Sequence, residues 1–460
     1  MSTVQQVTLP MSDSLHTLAL DDAKKIVTQP SEDDLRAFAE KGRGIIGDDQ
    51  EAGPIVIKAP GDDDFPDGGL RAWLVVLGAF CNAFATVGYV TSWGIFQEYY
   101  EKTLLSEYSP STISWIGSIQ YALIFFPGLV VGRLFDLGYF RYVFIFSSSL
   151  LIATTFLAAQ CTEYWQFLLC QGIASGIGCG GVFSPTHAIL SHWFKKKRGL
   201  VLGYMAVGAS VGGVILPIAA HKLIPEVGFR WAMRIIGFIL VVVLGVSNLT
   251  VRRRLPPKKI KGGLLNLSAF KELPYTMYCI SSFFIFLGLY TLLIFANVSA
   301  SSLGIEPELA SYFVALANAG SLFGRYVSGI LSDRIGPMNV MIPFTLLAAA
   351  FTYGWPFTHT TAQLIVITLI YGFCSGMYVS LMTNPIMNLG GEEDIGRRIG
   401  MFMSILAIGA LCGPPISGAI QASTGSFQMT GVFAGTVVIV GVIFMAITRL
   451  LVSTKLTAKL

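Results

Sequence analysis

The chain has 460 residues, 53% of them hydrophobic and only 13% charged, with 31 Lys and Arg against 27 Asp and Glu. A mean hydropathy of +0.65 excludes an ordinary soluble domain of this length and points to burial in a membrane. The formal net charge of +4 conceals an acidic beginning and a basic remainder, and it carries no sign of nucleic-acid binding.

Residues 1–70 hold six Lys and Arg against fourteen Asp and Glu and lack a sustained apolar face, which predicts a disordered acidic tail. No apolar signal-peptide core is present there, so the first membrane helix is expected to direct insertion. From about residue 72 onward the apolar residues gather into runs of roughly 18 to 25, the length a helix needs to cross a bilayer. Twelve such runs lie near 72–96, 112–134, 142–160, 165–190, 199–220, 231–251, 275–299, 308–331, 338–357, 361–385, 399–420 and 427–452. The predicted fold class is therefore an all-α membrane protein of twelve transmembrane helices. Its expected division is a tail (1–70), a first six-helix half (71–251), a basic linker (252–274) and a second six-helix half (275–460).

Alternate connections carry the basic residues: Arg133 and Arg141, Lys195 to Arg198, Arg252 to Lys261, Arg334, then Arg397 and Arg398. The other connections carry little beyond Lys102, Lys222 and Arg230. By the positive-inside rule the first set is expected to be cytoplasmic together with both termini, in a plasma or vacuolar membrane. The seven cysteines lie singly, almost all inside the apolar runs, and read as small apolar residues rather than disulfides or metal ligands.

A shift of about 200 residues lays one half of the chain over the other. Gln171 to Gly176 falls on Tyr371 to Gly376, Ser184-Pro185 on Asn384-Pro385, and Gly208, Ala209 and Gly212 on Gly409, Ala410 and Gly413. Gly132, Asp136 and Gly138 correspond to Gly329, Asp333 and Gly336. A six-helix unit repeated in the same orientation places a solute site near the midplane between the halves.

The connections Gly132-Arg133-Leu134-Phe135-Asp136-Leu137-Gly138 and Gly329-Ile330-Leu331-Ser332-Asp333-Arg334-Ile335-Gly336 resemble the signature of the major facilitator superfamily. Glycine permits close helix approach, and each carboxylate can accept charge-assisted hydrogen bonds from a basic partner or a helix N-terminus. Arg133, Asp136, Asp333 and Arg334 are accordingly the candidate gating residues, a latch that must break when the halves rock. Asp67-Gly68-Gly69-Leu70-Arg71-Ala72-Trp73 and Trp193-Phe194-Lys195-Lys196-Lys197-Arg198, leading into a Gly-rich helix, resemble the two signatures of the monocarboxylate porter family, its fungal branch most strongly.

Arg325, in the eighth run, is the one strong charge well away from a predicted helix end, and such a group marks a site or an aqueous cavity. A structural ion pair, or snorkelling to the surface, is the plainer alternative. The resemblance implies that Arg325 binds a substrate carboxylate. The Asp and Lys that assist it in animal relatives are replaced by Ser321 and Thr91, which counts against simple proton-lactate symport. Asn318 and Ser321 share a helix face with Arg325. Thr91, Gln120, Tyr121, Tyr378 and Asn384 complete the candidate cavity wall, although each alone fits an interhelical hydrogen bond equally well.

Gly176 to Gly181 satisfies GxGxxG but lies within an apolar helix with no preceding strand, so the Gly172, Gly176, Gly180 spacing is read as close helix packing. No Walker motif appears, and no cofactor, metal or catalytic residue is expected. The chain is read as a secondary transporter and not an enzyme, with a small-molecule solute, the lipid bilayer and a coupling proton as its candidate partners. Uptake of a monocarboxylate or vitamin-like acid competes with export of a fungal secondary metabolite. A non-transporting nutrient receptor and a membrane acyltransferase are the readings from other classes.

Overall fold

The computed structural model describes residues 66–255, 263–306, 309–310, 312–389, 394–455 and 458. The predicted tail up to residue 65 and part of the basic linker, 256–262, lie outside them. Among the described residues the chain forms twelve helical rods: α1 (Leu70–Leu104), α2 (Pro110–Ala122 and Gly128–Asp136), α3 (Phe140–Ala158), α4 (Tyr164–Trp193), α5 (Arg198–Val227) and α6 (Phe229–Thr250). The second set is α7 (Leu273–Leu289 and Thr291–Ser302), α8 (Phe313–Ile335), α9 (Pro337–Gly354), α10 (Thr361–Leu381 and Asn384–Asn388), α11 (Ile395–Thr424) and α12 (Phe427–Val452). Ten of these rods are long and apolar enough to cross a membrane. The two others are α2, which is interrupted, and α8, which carries Arg325, Asp333 and Arg334.

Local sequence accounts for the starts and breaks. The Ser109 hydroxyl caps α2 by accepting from Thr112 N at 3.2 Å, with Pro110 at the first helical position. Thr360 and Gln363 form a reciprocal capping box at the start of α10. In α2 the ladder is interrupted at 123–127, ending on Pro127, which has no N–H to give and crowds the preceding turn. Several rods outrun the apolar pattern: α1 continues past residue 96 through Gln97, Glu98, Glu101 and Lys102 as an amphipathic extension. There the Lys102 ammonium lies 2.7 Å from Glu98.

Helix packing relies on small residues. A Cβ on Gly172, Gly176 or Gly180 would press on the α2 backbone, so the sequence spacing corresponds to an α4–α2 contact. Between the two six-helix sets, Gly128 and Gly132 of α2 lie against Gly400 and Gly396 of α11. Gly199 and Gly203 of α5 lie against Gly329 and the Arg325 carbonyl of α8. Around the outside, large apolar side chains such as Phe146, Val242, Leu249 and Phe323 stand exposed, as expected of a surface solvated by lipid.

Candidate functional site

A cavity of about 960 Å³ opens between the two six-helix sets, lined by α1, α2, α5, α7, α8, α10 and α11. Its wall comes from the parts of these helices remote from Asp136 and Asp333, so it faces the end of the bundle opposite the basic connections. The lining is mostly apolar, with Trp93, Trp115, Tyr121, Tyr290, Phe295 and Tyr312 as its aromatic members. Arg325 is the one charged side chain among the lining residues, and His221 is the other basic group.

Arg325 is only 7% exposed. Its Nη1 donates to the Ala206 carbonyl at 2.6 Å across the α5–α8 contact, while its Nε finds no acceptor among the described residues. No carboxylate stands among the described lining residues to neutralise it. Tyr121 and Tyr290 come from opposite six-helix sets, their rings 4.8 Å apart and edge to face, close enough to feel the guanidinium charge. Farther up the wall, Asn318 donates to Val314 O at 3.0 Å and Gly213 O at 3.4 Å. Thr91, whose hydroxyl donates to Gly88 O at 2.8 Å, faces the same glycine. A Cβ at 213 would press on both side chains and oblige them to shift.

Five of the eight wall candidates therefore share one cavity: Arg325, Asn318, Ser321, Thr91 and Tyr121. The other three do not line it. Gln120, one residue and about 100° from Tyr121, turns toward α4 and donates to Ser175 at 2.9 Å. Tyr378 is fully buried and donates to Ser282 at 3.1 Å, and Asn384 donates to Ser332 at 3.2 Å near the other end of the bundle. The aromatic wall residues and His221 escape a reading based on polar interruptions, because within an apolar run an aromatic looks like core or lipid contact.

Beyond Tyr121 and Tyr290 the path toward the basic end is closed. The break in α2 sets Phe125 between the helix sets, 5.5 Å from the Phe286 ring of α7 and 6.0 Å from Phe183 of α4. Phe125 and Phe286 are 2% and 1% exposed, so this layer seals the cavity floor.

Two carboxylates lie farther toward the basic end. Asp136, ending α2, accepts from Gly396 N at 3.1 Å and Arg397 N at 3.0 Å at the start of α11. Asp333 of α8 accepts from Gly199 N at 2.8 Å and Leu200 N at 3.0 Å at the start of α5. Each thus occupies the positive end of a helix belonging to the opposite set. Of the basic candidates, Arg133 is half-buried one turn before Asp136 and Arg334 is exposed; among the described residues the groups meeting the two carboxylates at hydrogen-bond distance are main-chain amides. Arg397 adds a longer contact, Nε to Asp136 at 3.9 Å.

A second acid braces each gripped helix start from within its own set, a feature the sequence pattern did not disclose. Asp67, which has φ of 42°, accepts from the amides of Lys195 and Lys196 at 2.9 Å. Glu272 pairs with Arg398 at 2.6 Å, and the hydrogen bonds from that guanidinium hold the Glu272 carboxyl below its usual range.

The Major Facilitator Superfamily model matches residues 75–298 and 278–459 of this chain. MFS-type transporter 1 of Ophiocordyceps sp. (strain BCC 1869) is 39% identical over 389 residues, covering 84% of this chain and 87% of the relative. The aspyridones efflux protein apdF of Emericella nidulans is 39% identical over 386 residues, covering 84% of this chain and 79% of the relative. The crystal structure of the human organic anion transporter MFSD10 has a TM-score of 0.65 at 14% identity, covering 82% of this chain and 98% of that one, a likeness of fold alone.

Proposed function

This chain belongs to the Major Facilitator Superfamily, and from that premise we propose that it exports a bulky, mostly apolar organic anion by alternating access. One observation carries the choice of an anion: Arg325 is buried at a mostly apolar cavity with an unmatched donor and no carboxylate among the described wall residues. A guanidinium so placed is a planar fork waiting for an acid group. The volume supports a bulky body, since about 960 Å³ lies at the upper end of the roughly 300–1,000 Å³ of drug-sized ligand sites. The resemblance of the stretches at Asp67 and Trp193 to the monocarboxylate porter signatures also supports an acid. Export is supported by the Emericella nidulans relative, an efflux protein for aspyridones.

In this reading the basic end is cytosolic, so the cavity faces outward while Asp136 and Asp333 hold the inner side shut. The halves that rock are residues 71–251 and 275–460, joined by the linker 252–274 and preceded by the tail 1–70. Comparing metabolites in cells and medium for strains lacking or overproducing the protein tests the proposal. Large acids should accumulate inside the deletion strain and appear in the medium of the overproducer. A shift confined to neutral compounds would remove the anion from the proposal.

A further inference from the structure

We infer that the transporter is an anion exchanger: its empty form reorients far more slowly than its loaded form, so one anion leaves as another enters. This rests on the anion site at Arg325 and extends it to the coupling of fluxes.

The argument begins with the charge. Arg325 is 7% exposed, its one described acceptor is the uncharged Ala206 carbonyl, and the lining residues hold no Asp or Glu. In the structure as it stands, the guanidinium is tolerated because the cavity opens to water on one side. Alternating access requires the cavity to close there before the other end opens, and closure strips that water away. An uncompensated guanidinium in a dry interior carries a large desolvation penalty, whereas a guanidinium paired with an acid group is nearly neutral as a unit. The described wall residues have nothing of their own to supply the negative charge: Tyr121 and Tyr290 are neutral phenols, and His221 can only add positive charge. The anion is therefore the missing counter-charge for passage in either direction. A proton cycle would need a group that takes up a proton as the substrate leaves, and the described lining residues offer no carboxylate for that role.

The full chain in proteoliposomes, with 2-naphthalenesulfonate as probe, tests this. The probe is aromatic and permanently anionic, so it does not leak across the bilayer as a neutral acid. Binding is read from quenching of tryptophan fluorescence, with Trp93 and Trp115 in the wall. Flux is read as efflux from loaded vesicles into medium with or without external probe. The expected result is saturable binding and efflux accelerated about tenfold or more by external probe. In Arg325→Gln the acceleration should fall toward unity, because the empty carrier no longer has a charge to bury, while Arg325→Lys should retain it once external probe is raised enough to saturate its weaker site. Saturable binding with equal efflux under both conditions would overturn exchange and leave the anion site standing. Uphill accumulation driven by a pH gradient into anion-free vesicles would also overturn it and assign the coupling to a proton. No saturable binding at all would remove the anion site, and the inference with it.

Discussion

Arg325 has five N–H groups in a rigid fork, and the structure engages one of them with Ala206 while leaving Nε unmatched. If an acid group completes the set, lysine at this position keeps the charge but loses the second point of contact. Arg325→Lys should then weaken binding of an anionic probe by about 2 to 3 kcal/mol, or roughly thirty- to a hundredfold, with unchanged abundance in the membrane. Unchanged affinity would place the arginine in a purely structural role. This residue was legible because a cation within an apolar run has so few uses. Thr91, Asn318, Ser321 and Tyr121 stand out in the sequence only as polar interruptions of apolar runs, and the structure places them on the same cavity wall. Gln120, Tyr378 and Asn384 look identical in sequence but satisfy their polar groups against neighbouring helices, since a one-residue step turns a side chain about 100° around its helix. Rotational phase about the helix axis is what the apolar runs fail to encode. The same limit hid Tyr290, Trp115 and His221.

At the scale of helices, α2 does two tasks at once. Its break at 123–127 swings Phe125 into the floor of the cavity, and its last turn delivers Asp136 to α11. Phe125→Ala should open a leak beneath the cavity, measured as protein-dependent passage of small ions through vesicles; a tight membrane would show that Phe286 and Tyr290 seal the floor unaided. Asp136→Asn keeps the shape but leaves one acceptor oxygen where two stood, so one amide bond becomes neutral and weaker by about half while the other is lost to an NH2 that can only donate. It should favour opening at the basic end, seen as faster alkylation of a cysteine placed at Ser404, whose hydroxyl bonds Phe126 O across the α2–α11 contact at 3.1 Å. Gly132→Ala should act in the same direction by steric means, because its Cβ would collide with the Gly396 carbonyl and backbone cannot step aside. Unchanged alkylation in both variants would show that this contact does not hold the closed end. Helix number and order could be read from hydropathy, but helix ends could not: α1 and α5 run on through amphipathic turns that tertiary contacts stabilise.

For the whole molecule, the asymmetry of basic residues between the two ends makes a topological prediction. A tag inserted at Gly263 should be cytosolic and one at Glu306 should lie across the membrane, as protection from external protease would reveal. Tags on one side would invalidate the orientation. The repeat seen at an offset of about 200 residues reappears in the structure as two grips of the same construction, Asp136 on the start of α11 and Asp333 on the start of α5. The acceptors in both grips are side chains, but the donors are main chain. Peptide amides are common to every residue except proline, so Leu200 and Arg397 can be replaced over generations without dissolving either grip. An aspartate has no such latitude, and neither do the glycines that let the backbones touch. Across descendants of this chain the carboxylates at 136 and 333 and the glycines at 132, 199 and 396 should persist, while the identities of their amide-bearing neighbours drift. The lock is inherited on one side only, because on the other side the polypeptide supplies it by default.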